Sequence, residues 1–243
     1  MKTLGLIGGL SWFSTTVYYR IINQLVNERL GASHSAKLLL YSVDFNDFKT
    51  LQEKNDWEQI EKMLTDIAQK LETAGAECIV MCTNTPHLVA DAVQKKIKIP
   101  LLHIAEETAK ECLKQNLSSV ALLGTKFTME HIFFKERLLK DGIRVIIPDI
   151  DDRSFIHTSI FSELTKGVFT DETRNKYLEI IEKLMNDGAQ AVIFGCTEIS
   201  LLIKKTDLNL IVLDTTEIHS KAAVEFQLMN ICPEKTENGI AQK

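Results

Sequence analysis

One arrangement constrains this chain more than any other: a short apolar run that ends in a Cys-Thr turn, used twice. Ile79-Val80-Met81 leads into Cys82-Thr83-Asn84-Thr85, and Val192-Ile193-Phe194-Gly195 leads into Cys196-Thr197-Glu198. Each run follows a glycine turn, Ala74-Gly75-Ala76 and Asp187-Gly188-Ala189. An unbroken apolar run of four or five residues after a turn signal is the pattern of a strand buried on both faces, as in a parallel sheet. The polar turn behind it then stands at the strand's carboxyl end, where parallel α/β sheets bind ligands.

The surrounding chain repeats as well. Leu4-Gly5-Leu6-Ile7-Gly8-Gly9 and Val120-Ala121-Leu122-Leu123-Gly124-Thr125 read as matching opening strands, with further strands at 37–43, 99–104, 144–147 and 210–213. Helical patterns separate them, at 11–28, 56–73, 86–95, 105–115, 129–140, 158–165, 171–186, 198–204 and 216–230, with a polar loop expected over 44–55. Alternating strands and helices predict an α/β fold with parallel sheets. Two pseudo-symmetric domains are expected, each a parallel sheet flanked by helices, with the active site in the cleft between them. The expected division is 1–104 plus 210–230 for the first domain and 105–209 for the second, with 231–243 a polar tail. Gly8 precedes Cys82 by 74 positions and Gly124 precedes Cys196 by 72, which pairs the two cysteines as equivalents.

Composition removes several classes of function. The 243 residues carry a net charge of -5, against the basic surface that nucleic acid or an anionic membrane requires. No apolar run approaches the roughly 20 residues of a membrane span, and no signal-peptide cleavage pattern follows the N-terminus, so a cytoplasmic location is expected. The five cysteines form no CxxC pair, which argues against a disulfide framework or a zinc cage, and no metal site is expected. Cys78, Cys112 and Cys232 read as buried packing residues. The opening glycines do not make GxGxxG, so no dinucleotide site is expected. His87 is expected on a helix surface, His103 at a strand end and His219 in the packing of the last helix.

Two thiols facing one another across a cleft would make an acid–base pair that removes a proton from one face of a carbon and returns one to the other. Each would lie near a helix N-terminus, which favours the thiolate. Thr83, Asn84 and Thr85 suit a carboxylate, and Thr197 with Glu198 suits an ammonium, so an amino acid fits the site. Gly8, Gly9 and Thr125 would line the same cleft.

These residues resemble the aspartate/glutamate racemase family, in its aspartate racemase and broad-specificity amino-acid racemase branch. The likeness rests on Leu4-Gly5-Leu6-Ile7-Gly8-Gly9-Leu10-Ser11-Trp12, Cys82-Thr83-Asn84-Thr85 and Gly195-Cys196-Thr197-Glu198, and it spans about residues 1–229. It implies a cofactor-independent amino-acid racemase, an isomerase, with Cys82 and Cys196 as catalytic bases and Thr83, Asn84 and Thr85 on the α-carboxylate. Leu10, Ser11, Gln52, Thr125, Thr197, Glu198 and Lys166 are the further substrate contacts expected, and a homodimer is implied. Strict aspartate racemases place an arginine after the second strand, where this chain reads Asp47-Phe48-Lys49-Thr50; a racemase of neutral amino acids is the alternative. A cysteine-dependent maleate isomerase or decarboxylase, and a catalytically silent amino-acid binder or redox sensor, are the remaining readings.

Overall fold

The computed structural model describes residues 1–229 and 231, so the expected tail lies almost wholly outside the described residues. Its strands are β1 Leu4–Gly8, β2 Leu38–Ser42, β3 Cys78–Met81, β4 Leu101–Leu102, β5 Ser119–Gly124, β6 Arg144–Ile146, β7 Ala191–Gly195 and β8 Ile211–Asp214. They form two four-stranded sheets of the same order, β2-β1-β3-β4 and β6-β5-β7-β8, with every pairing parallel. β1, β3, β5 and β7 are buried along their whole length, which is why they carry no polar alternation.

The helices are α1 Trp12–Leu30, α2 Phe45–Glu53, α3 Trp57–Thr73, α4 Ala90–Gln94, α5 Ile104–Lys114, α6 Lys126–Glu130, α7 Ile132–Lys140, α8 Ile150–Ser162, α9 Asp171–Asn186, α10 Ile199–Leu202 and α11 Thr215–Leu228. α3 shows how local sequence sets them. Asp56 caps its start by accepting from the Gln59 N–H, and Ile60, Leu64, Ile67, Ala68 and Leu71 make one buried stripe. Gly75, at φ 99°, turns the chain into β3.

Three expectations are corrected. Residues 45–53 form α2 rather than a loop: Asp44 caps the helix, and Phe48 and Gln52, four apart, turn into the interior. The helix expected over 129–140 is two helices, broken at His131, whose backbone is extended. Residues 211–214, expected in the first domain, pair with β7 in the second sheet. Only the helix that follows returns to the first half.

That crossing is reciprocal. α5, which follows the last strand of the first sheet, buries Ile104, Ala105, Ala109 and Cys112 in the core of the second. α11, which follows the last strand of the second sheet, buries Ala223, Val224 and Leu228 against Leu4, Leu6, Tyr18 and Val80 of the first half. α5 and α11 also pack on each other. The two halves are thereby clasped, with the carboxyl ends of their central strands meeting at one cleft.

Candidate active site

At that cleft a cavity of about 400 Å³, including its opening to solvent, is walled by Leu10, Ser11, Gln52, Thr83, Thr85, Thr125, Cys196 and Glu198. Apolar and small residues complete it: Phe45 and Phe48 from α2, Pro86, and Ile160, Phe161 and Thr165 from in and just beyond α8. α2 and α8 are therefore the two lips, one from each half. None of these six was anticipated; a phenylalanine or isoleucine in an amphipathic pattern reads as core, and only the packing of the halves shows that it faces a ligand.

The loop after β1 brings in Leu10 and Ser11. Gly9 sits at φ 78°, and a Cβ there would stand 2.1 Å from the Val43 carbonyl oxygen, so no other residue fits this approach. Ser11 begins α1, and its hydroxyl donates to Glu198 Oε1 at 2.8 Å across the cleft. The other carboxylate oxygen, Oε2, accepts from Cys196 Sγ at 3.0 Å. Glu198 thus holds the thiol on one side and the opposite half on the other. Burial and then the Glu198 carboxylate push the Cys196 thiol well above its ordinary pKa, so the resting group is a thiol.

Across from it, the register of the sheets assigns the partner. β1 pairs with β3 from Leu4↔Cys78 to Ile7↔Met81, and the Cys82 N–H donates to the Ile7 carbonyl at 2.9 Å, which sets Cys82 beside Gly8. In the second sheet Gly124 pairs with Gly195. With the two strand-tip glycines superposed, Cys82 matches Gly195, and Thr83 matches Cys196. Side chains alternate along a strand, so Cys82 shares the face of Cys78 and Val80 and enters the apolar cluster with Tyr18, Ile22 and Ala223. It is 1% exposed, lines no part of the cavity, and burial raises its thiol pKa far above the ordinary value. Of the two residues at this turn, Thr83, and not the expected Cys82, shares the cavity with Cys196.

Other expected contacts divide in the same way. Gln52 is 6% exposed and lines the cavity. Asn84 turns away and donates to Thr215 Oγ1 at 3.0 Å, while Thr197 bonds to Ser14 and Thr216 at 2.9 and 3.0 Å. Both tie the halves together behind the site. Lys166 is exposed and does not line the cavity. Lys49 lies in an adjoining hollow and pairs with Glu53 at 3.6 Å. Thr85 and Thr125 do meet, their hydroxyls 3.3 Å apart at the cavity wall.

Two clasped parallel α/β halves bring a thiol, a carboxylate and hydroxyls to one shared cleft, groups suited to acid–base chemistry on a small polar molecule. The Asp/Glu/hydantoin racemase family model matches residues 7–223, and the chain belongs to that family and is an enzyme of the isomerase class. The broad-specificity amino-acid racemase RacX of Bacillus subtilis is 22% identical over 228 residues, which cover 93% of this chain and 98% of RacX. Among solved structures, a candidate Asp/Glu racemase from Yersinia pestis is 48% identical with a TM-score of 0.89, the match covering 94% of this chain and all (100%) of that one. An aspartate racemase homologue from Pyrococcus horikoshii is 36% identical with a TM-score of 0.82, covering 93% and 99%.

Proposed function

We propose that this chain is an amino-acid racemase in which Cys196 and Thr83 act from opposite faces of the α-carbon, with protein side chains as the acid and base. The observation that carries the reading is the shared cavity, with Cys196 held by Glu198 on one side and Thr83 at the pseudo-symmetric position on the other. Thr85 and Thr125 receive the α-carboxylate together with the backbone N–H groups of the Thr83 turn. Glu198 receives the ammonium, and as that positive charge enters, the Cys196 thiol loses its proton to solvent at the cavity mouth. The thiolate then removes the α-proton, and the Thr83 hydroxyl supplies a proton to the other face. The hydroxyl regains its proton from solvent at the cavity mouth.

A hydroxyl is a far weaker acid than a thiol, so the two faces are unequal. Net rates cannot show this. Enantiomers are equal in free energy, so kcat/KM must be the same in both directions. The inequality falls on exchange with retention, which the Cys196 face catalyses and the Thr83 face does not.

The lining supports a side chain without a negative charge. Among the described residues no lysine or arginine lines the cavity, and the nearby Lys49 is paired with Glu53. Amino acids with neutral side chains are the preferred substrates, and aspartate, to which the relatives' names point, is the second reading. The family resemblance extends the proposal to a homodimer in the cytoplasm. Chiral chromatography after incubation with each of the common L-amino acids tests the activity, with aspartate and methionine as the contrast. Failure to form any D-isomer refutes the reading.

A further inference from the structure

The turn that presents Cys196 is closed by its own backbone: the Cys196 carbonyl accepts from the Ile199 N–H at 3.2 Å. Thr83 is the counterpart of Cys196, so the residue three further on should serve it in the same way. That residue is Pro86, which has no N–H. The missing donor comes instead from a side chain. His87 Nδ1 lies 2.9 Å from the Thr83 carbonyl oxygen and 3.2 Å from that of Asn84. Both partners are acceptors, so Nδ1 carries the proton.

His87 is not on the helix surface that its sequence position suggested; it is 1% exposed. Its ring packs edge-on against His103, 4.8 Å between centroids, and His219, 5.4 Å away. These come from the start of α5 and from α11, the two helices that cross between halves. His103 Nδ1 accepts from the Ala105 N–H, and His219 Nε2 donates to the Leu102 carbonyl while its Nδ1 accepts from Tyr18. Burial keeps His87 neutral to about pH 3, so it holds this tautomer throughout the working range.

We propose that His87 is a positioning residue for the reaction. Its Nδ1–H replaces the backbone bond that Pro86 cannot make, and so holds the Thr83 hydroxyl at its place opposite Cys196. His87 does not line the cavity. This assignment rests on the Cys196–Thr83 reading above, and its test separates the two.

The experiment follows inversion and α-deuterium incorporation together, in heavy water, for the wild type and for His87→Leu, His87→Asn and His87→Gln. Asparagine places an amide N–H near the Nδ1 position; glutamine reaches past it. The expected result for His87→Leu is a fall in inversion of about 100-fold, the scale of an ångström-level misplacement. KM stays within about threefold, and exchange with retention at the Cys196 face persists. His87→Asn restores most of the inversion and His87→Gln does not, a contrast that still decides the matter if the leucine variant fails to fold. Equal loss of inversion and exchange, or equal behaviour of the asparagine and glutamine variants, overturns the positioning role and leaves the racemase reading standing. A wild type that neither exchanges nor inverts any amino acid overturns both.

Discussion

Cys82→Ala separates the register-based assignment from the sequence-based pairing of cysteines. Cys82 lies in the cluster of Leu4, Leu6, Tyr18, Ile22, Val80 and Ala223, and among the described residues its sulfur's polar contact is the Val80 carbonyl at 3.9 Å. Alanine deletes one buried heavy atom, comparable to removing one methyl group from a core. That costs about 1 kcal/mol, the scale of a buried isoleucine-to-valine change. For a chain of this size, about 1 kcal/mol corresponds to a fall in Tm of roughly 2–4 °C. No substrate contact is lost, so kcat/KM should remain within about threefold, which is less than 0.7 kcal/mol of transition-state free energy. Differential scanning fluorimetry reads the first effect and initial racemisation rates the second. Cys196→Ala, assayed beside it, should lose about three orders of magnitude or more. A comparable collapse in Cys82→Ala, with a native melting profile, would refute the placement of Thr83 opposite Cys196.

Further expectations follow from the same contacts. Glu198→Gln removes the carboxylate that raises the Cys196 thiol pKa, so the thiol should titrate at lower pH than in wild type; thiolate absorbance near 240 nm reads the shift, and an upward or absent shift contradicts the pairing. Gly9→Ala meets both a positive φ and the Val43 backbone, and should destabilise by about 2 kcal/mol or more; urea midpoints measure it. Acid should weaken the fold before it titrates the buried histidines. His87 and His219 are held to about pH 3 and about 4 by burial, while the unfolded chain binds their protons near 6.5, so stability is full above that value and falls as pH drops toward 4. Tyr18, which faces His219, stays neutral in that range, His103, which faces His87, is likewise held low by burial, and a single such histidine accounts for roughly 2 kcal/mol between pH 6.5 and 5. A urea midpoint unchanged from pH 7 to 5 would contradict this.

The α/β architecture was legible because β1, β3, β5 and β7 are short apolar runs bounded by turn signals, three of them ending in glycine, the pattern of strands covered on both faces. The cleft was legible from polar residues placed just beyond those runs. Three things were not. α2 looked like a loop because Asp44, Asn46, Asp47 and Asn55 crowd the segment, although Asp44 is its cap and Phe48 its anchor. The crossing of α11 from the second half to the first depends on which sheet receives β8, a long-range pairing with no local mark. The identity of the residue opposite Cys196 depends on register, where one step moves a side chain to the other face of the sheet. Spacings of 74 and 72 residues suggested that Cys82 matched Cys196, but the strand pairing matches Cys82 to Gly195. Cysteine is the more conspicuous letter, and beside it Thr83 looked like a helix cap.

The most direct test of the central claim starts from each pure enantiomer of one accepted amino acid in heavy water and follows deuterium at the α-carbon by NMR and configuration by chiral chromatography. With Cys196 on one face and Thr83 on the other, one enantiomer should gain deuterium while keeping its configuration, faster than it inverts. Its mirror image should gain deuterium only as it inverts. Equal exchange with retention from both enantiomers would mean two equivalent bases, and would contradict the account.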